Sequence, residues 1–111
     1  MEDCIFCKIV KGEIPSEKIL ENEEFIVIKD ANPKVKGHSL LIPKKHFQDF
    51  INMDEKLYEN FLKTLKETCE KLDSDEFNFI INNGKNAGQI VPHLHLHILP
   101  RKENDGFKVS I

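Results

Sequence analysis

No stretch of this chain is apolar for long enough to span a bilayer. No segment gathers the basic excess that a general nucleic-acid binder needs to displace counterions from a phosphate backbone: Lys and Arg number 16 against 19 Asp and Glu, for a net charge of -3. That balance still leaves room for a small, singly docked nucleotide. Cysteine is scarce and odd in number, three in all, which fits a reducing compartment better than a disulfide framework. The opening Met1-Glu2-Asp3-Cys4 carries acid where a signal peptide would carry base, so a cytoplasmic location without membrane attachment is expected. Repeats, linkers and low-complexity tails are also missing. What remains is 111 residues, 40% hydrophobic and 32% charged, enough for one domain over residues 1–111 with its own core.

Against this plain background one stretch stands out, Gly88-Gln89-Ile90-Val91-Pro92-His93-Leu94-His95-Leu96-His97-Ile98-Leu99-Pro100-Arg101. From His93 onward histidine alternates with aliphatic residues, the period of a strand with one buried face. The three imidazoles would share one face at intervals of about 6.6 Å, while Leu94, Leu96 and Ile98 point into a core. Simple packing of a core histidine accounts poorly for three in register.

The rest of the chain reads as an α+β fold: a five-stranded antiparallel sheet, one long helix and a short N-terminal helix. Ile5, Phe6, Ile9 and Val10 form a short helical stripe that Gly12 ends. Residues 18–20 and 25–28 read as strands around an acidic turn, and 38–42 as a third. The long helix is expected to begin near Asn52, with Glu55 completing a capping box. Its buried stripe would contain Leu57, Phe61, Leu65, Cys69 and Leu72, with Leu62 and Thr68 beside them. A fourth strand spans 77–81, and the histidine stretch is the fifth. The polar segment 102–111 would either fray or pack on a partner subunit.

The loop 82–88, rich in Asn and Gly, tolerates positive φ and can turn backbone N–H groups toward an anion. Asn82 and Gln89 add neutral amide donors. Imidazole is largely neutral near pH 7 and attacks phosphorus, so a phosphoryl group over this row would meet both donors and a nucleophile, with His95 best placed. Cys4 and Cys7 form a CxxC pair that fits zinc, a redox couple or two buried thiols, and spacing does not choose among His38, His46 and the triad for further ligands. A metallohydrolase remains the rival use of the triad, with a carboxylate such as Asp30 completing the coordination.

These blocks together resemble the histidine triad (HIT) superfamily, whose signature alternates three histidines with apolar residues. The resemblance is closest to its nucleotide-binding phosphoramidate hydrolase branch of bacterial and archaeal type. It rests on Cys4 through Pro15, Gly37 through His46, the loop from Asn82 and the stretch from Gly88 to Arg101. The resemblance implies a homodimer whose two sheets join, and hydrolysis or transfer at the α-phosphorus of purine nucleoside 5′-phosphoramidates or acyl and lysyl adenylates. Dinucleoside polyphosphates, or a nucleotide-binding scaffold with little catalysis, are the alternatives. His95 would carry the nucleotidyl intermediate, with His97 and His38 in support; Asn82, Gly88 and Gln89 would hold the phosphate. Ile5, Phe6, Ile9 and Ile28 would wall the base and Asp30 would take the ribose hydroxyls. A structural zinc would sit on Cys4, Cys7, His46 and His93, and no organic cofactor is implied. Ile90 stands where some animal members carry a hydroxyl that helps protonate the leaving group.

Overall fold

The computed structural model describes residues 3–111. Five strands, β1 (Lys18–Glu21), β2 (Phe25–Lys29), β3 (Ser39–Pro43), β4 (Phe77–Ile80) and β5 (Leu96–Pro100), form one antiparallel sheet in the order β1-β2-β3-β5-β4. Two α-helices flank it, α1 (Ile5–Val10) and α2 (Tyr58–Lys71).

Alternation along the central strands decides what each face touches. Phe25 and Val27 of β2, Leu41 of β3, and Leu96 and Ile98 of β5 join Phe47, Met53, Phe61 and Leu94 in one buried cluster on the α2 side. The intervening Ile26, Ile28, Leu40 and Ile42 pack with Phe6 and Ile9 of α1 on the other. Both faces of β2 and β3 are therefore covered, which explains their continuous apolar runs. His97 falls on the α1 side.

Helix α1 is only 6 residues long, too short to persist on its own. Its start is fixed by the Cys4 sulfur, which accepts the Cys7 amide at 3.4 Å. Gly12, at φ +81°, takes the left-handed conformation that ends it.

Three expectations are corrected. The fifth strand begins at Leu96, not His93. Pro92 and the turn from Gly88 hold the first two histidines outside the ladder, yet the alternation of sides persists. The long helix does not begin at Asn52, whose side-chain amide instead donates to Asp49. The helical path starts after Asp54, which accepts the Lys56 amide at 3.0 Å and leads through a short 3₁₀ turn into α2. Leu62 does not belong to the buried stripe; it is 62% exposed. Thr68 is buried as expected and Thr64 takes the place of Leu62: Thr64 Oγ1 accepts from Asn22 Nδ2 at 2.9 Å and Thr68 Oγ1 bonds back to the Thr64 carbonyl. Asn22 Oδ1 also accepts the Phe25 amide, so one asparagine shapes the β1–β2 turn and docks it on α2.

The segment after β5 is pinned. Arg101 makes a two-pronged ion pair with Asp105 at 2.7 and 3.0 Å, and donates to Asn78 of β4 and to the Phe107 carbonyl. Among the described residues, no helix is long and apolar enough to cross a membrane.

Candidate active site and metal cluster

A cleft of about 760 Å³ opens between α1 and the sheet. Its apolar wall includes Ile5, Phe6, Ile9, Ile28, Leu40 and Val91, and its polar end carries Asp30, Asn82, Gly88, His95 and His97. The structure thus gathers nearly every residue singled out for a nucleotide. Phe6 bridges the two ends, its ring lying 5.0 Å from that of His95.

Hydrogen bonds fix the protonation of both cleft histidines. His95 Nδ1 lies 2.8 Å from the His93 carbonyl oxygen, which can only accept, so Nδ1 carries the proton and the Nε2 lone pair is left free. His38 Nδ1 accepts the Lys34 backbone N–H at 3.0 Å, which places the His38 proton on Nε2. That Nε2–H points to His97 Nδ1 at 3.0 Å and to Asp30 Oδ2 at 3.3 Å. His97 in turn keeps its own proton on Nε2, as a donor. Burial, followed by the neighbouring His95 and His38, lowers the His97 pKa to about 4. Burial likewise moves His38 down, against the pull of Asp30. Both are neutral near pH 7, and polarity runs in one direction from Lys34 through His38 to His97.

Asp30, His38 and His97 do converge closely enough to suggest a two-histidine, one-carboxylate metal triad. The Lys34 amide argues against that use. It occupies the lone pair whose proton a metal-bound His38 would need at Nδ1, so Nε2 is a donor and not a ligand.

The second cluster has the opposite arrangement. Cys4 Sγ lies 3.3 Å and Cys7 Sγ 3.6 Å from His93 Nδ1, Cys7 Sγ lies 3.3 Å from His46 Nδ1, and the two Nδ1 atoms are 3.0 Å apart. A tetrahedral zinc with ordinary bonds to sulfur and imidazole separates such donors by about 3.3 to 3.8 Å, so the four atoms already stand near the corners of such a site. His93 Nε2 donates to the Pro43 carbonyl at 2.9 Å, which leaves Nδ1 unprotonated for a metal. Without metal, burial lowers the His93 pKa to about 4 and raises that of Cys7.

Gln89 differs from expectation. Its side-chain oxygen accepts the Gly84 amide at 2.7 Å, and its NH₂ donates to the Gln48 and Val91 carbonyls at 2.6 and 3.0 Å. Its backbone N–H is also taken, by the Gly84 carbonyl. Gln89 is a strut that closes the loop, and its donors are spent. Gly88, at φ +91°, carries no Cβ beside Asn82, where one would approach the amide nitrogen to 3.8 Å. Cys69, expected as a small core residue, is half-buried near the end of α2. Sequence reasoning missed Leu40, the cross-strand partner of both Ile28 and His97, and Ser16 and Glu17 at the far end of the cleft. Strand register reveals Leu40, and the shape of the cleft the other two.

Comparison with known proteins agrees with this geometry. An uncharacterised HIT-like protein of Methanocaldococcus jannaschii is 48% identical over 106 residues, covering 93% of this chain and 82% of that protein. The adenosine 5′-monophosphoramidase hnt1 of Schizosaccharomyces pombe is 36% identical over 97% of this chain and 80% of its own. The adenylylsulfatase HINT3 of Arabidopsis thaliana is 40% identical over 93% of this chain, which spans only 54% of that larger protein. A solved HIT family hydrolase of Clostridium thermocellum superposes with a TM-score of 0.88 at 36% identity, over 99% of both chains. The HIT domain model matches residues 11–104, and the chain belongs to the HIT domain family.

Proposed function

We propose that this protein hydrolyses purine nucleoside 5′-phosphoramidates and related acyl or lysyl adenylates at the α-phosphorus. The observation that carries this reading is the His95 tautomer: its Nδ1–H is held by the His93 carbonyl and its Nε2 faces the cleft unprotonated. His95 Nε2 attacks phosphorus, forming a P–N bond as the bond to the leaving group breaks. Water then displaces His95 from phosphorus, giving the nucleoside monophosphate and restoring the imidazole. The His97 Nε2–H, held in place through His38, donates to a phosphate oxygen as charge builds there. Asn82 supplies a second donor. Ile90 is 91% exposed and offers no proton, so the departing amine takes one from solvent. Asp30 accepts from the ribose hydroxyls, and the Phe6, Ile9 and Ile28 wall holds the base.

Zinc on Cys4, Cys7, His46 and His93 supplies no chemistry at phosphorus in this reading; it ties the N-terminus to the histidine segment. The protein acts as a homodimer in the cytoplasm. Steady-state turnover of adenosine 5′-phosphoramidate tests the mechanism. His95→Ala should abolish it while nucleotide binding and the folded signal persist, and unchanged turnover would refute the assignment. Dinucleoside polyphosphates should turn over more slowly than the phosphoramidate; the reverse order would name them as the substrate. Tight nucleotide binding with no product over long incubation would favour a scaffold, a reading that the exposed Ile90 motivates.

A further inference from the structure

Two sulfurs held at one metal cluster are also close enough to bond to each other. The ligating atoms of Cys4, Cys7, His46 and His93 all lie within 4.8 Å of one another. A disulfide bond is about 2.05 Å long, so joining the two sulfurs requires an approach of less than about 3 Å. Cys4 caps α1 and Cys7 lies in its first turn, where residues three apart are neighbours on the helix surface. Neither is sealed from solvent: both are half-buried, and Cys4 lines a cavity of about 520 Å³ with His46, Gln48, Ile90 and Pro92. Bound to zinc, both sulfurs are thiolates, the form that attacks an oxidant.

The residues enclosed by the pair make its state matter to the cleft. Ile5 and Phe6 stand between the two cysteines, and both line the nucleotide cleft. The Phe6 ring also meets His93 edge-on at 5.7 Å and His95 at 5.0 Å. A change in the separation of the sulfurs therefore turns the backbone that carries part of the base wall. The Cys4 sulfur accepts the Cys7 N–H at 3.4 Å, so the cap that starts this helix is involved as well. A helix of 6 residues has little hydrogen bonding of its own to resist such a change.

We propose that Cys4 and Cys7 form a redox-modification site: hydrogen peroxide oxidises them to a disulfide, which expels the zinc and weakens nucleotide binding through Ile5 and Phe6. The Cys4 thiolate attacks one peroxide oxygen, forming an S–O bond as the O–O bond breaks and hydroxide leaves. The Cys7 thiolate then attacks the Cys4 sulfur, forming the S–S bond and releasing the second hydroxide. The two sulfurs give up two electrons, the peroxide takes them, and both hydroxides gain protons from solvent to become water. Disulfide sulfurs carry no charge for a metal, so only the two imidazoles remain, fewer donors than a structural zinc site needs. A dithiol reverses the step by exchange, and in a reducing compartment the pair stays open until oxidant rises.

The inference rests on the zinc and nucleotide assignments of the proposed function, and separate readouts tell their failures apart. Zinc-loaded protein is treated with hydrogen peroxide beside an untreated control. A chromophoric chelator counts released zinc, peptide mass mapping locates disulfides, and titration calorimetry measures AMP binding. A disulfide joining Cys4 to Cys7 should form with release of about one zinc per disulfide. AMP affinity should fall by at least about 5-fold, the low end of a coupling between sites, and recover when a dithiol and zinc are added. Cysteines that stay reduced, zinc that is retained by the oxidised protein, or AMP affinity unchanged in the oxidised, zinc-free protein would each overturn the inference and leave the hydrolase reading standing. Cys69→Ser should respond as wild type does, and loss of the response there would move the reactive thiol to Cys69. Untreated protein that holds no zinc would overturn the zinc assignment and the inference together. Untreated, zinc-loaded protein that binds no AMP would overturn the nucleotide reading and the coupling to it.

Discussion

At the scale of single residues, the site is governed by what occupies the far nitrogen of each imidazole. His38 and His93 are both buried, at 3% and 0% exposure, and both stand among potential metal ligands. A backbone N–H on His38 makes it a proton donor, whereas a backbone carbonyl on His93 leaves its Nδ1 lone pair open to a metal. The depressed pKa of His97 has a measurable consequence for stability. Above about 6.5 the ring is neutral in both folded and unfolded chains, so its burial carries no pH dependence. As pH falls from there toward about 4, the unfolded chain takes up a proton that the folded one refuses, and stability declines across that window. Urea unfolding at pH 7 and pH 5 should therefore show a smaller loss in His97→Gln than in wild type; an equal loss in both would contradict the burial argument.

At the scale of elements, the cap of the long helix shows how sequence signals compete. Asp54→Ala should cost about 1 kcal/mol in urea unfolding, the usual value of an N-cap, while Asn52→Ala should cost clearly less; the reverse ranking would restore Asn52 as the cap. Asn52 and Glu55 matched the spacing of a capping box, but Asn52 lies inside the turn at Phe50–Met53, and Asp54 has the extended backbone that a cap needs. Elsewhere the alternation in β2, β3 and β5 was legible because burial on a pleated sheet has period two. The Cys4, Cys7, His46 and His93 grouping was legible only through family resemblance, since its members are up to 89 positions apart. Gln89 was misread for a related reason. An amide next to a glycine loop looks like a ligand donor until the carbonyls of Gln48 and Val91 are seen to claim it.

At the scale of the whole molecule, two features bear on assembly and metal content. Strand β4 lies at one end of the sheet, and its Phe79, 48% exposed, stacks on Phe77. An unpaired edge with an exposed aromatic ring suits pairing with a second copy. Sedimentation should report a dimer for wild type and a monomer for Phe79→Asp; a dimer in both would place the contact elsewhere. Protein purified without added metal should carry about one zinc per chain, as a Cys₂His₂ site of structural type does. Chelation should accelerate amide exchange at Lys8, whose N–H bonds the Cys4 carbonyl, and at Ile9 of α1, and unchanged exchange would show that packing alone holds that helix. His93 joins these scales, for its ring faces the metal cluster while its carbonyl grips the proton of His95. Replacing the ring leaves that carbonyl chemically intact, so any effect on the nucleophile must travel as a displacement of the main chain. The protein would then be assembled before it is competent: a newly made chain already holds every reacting atom, and closing the staple at its N-terminus is what aims them.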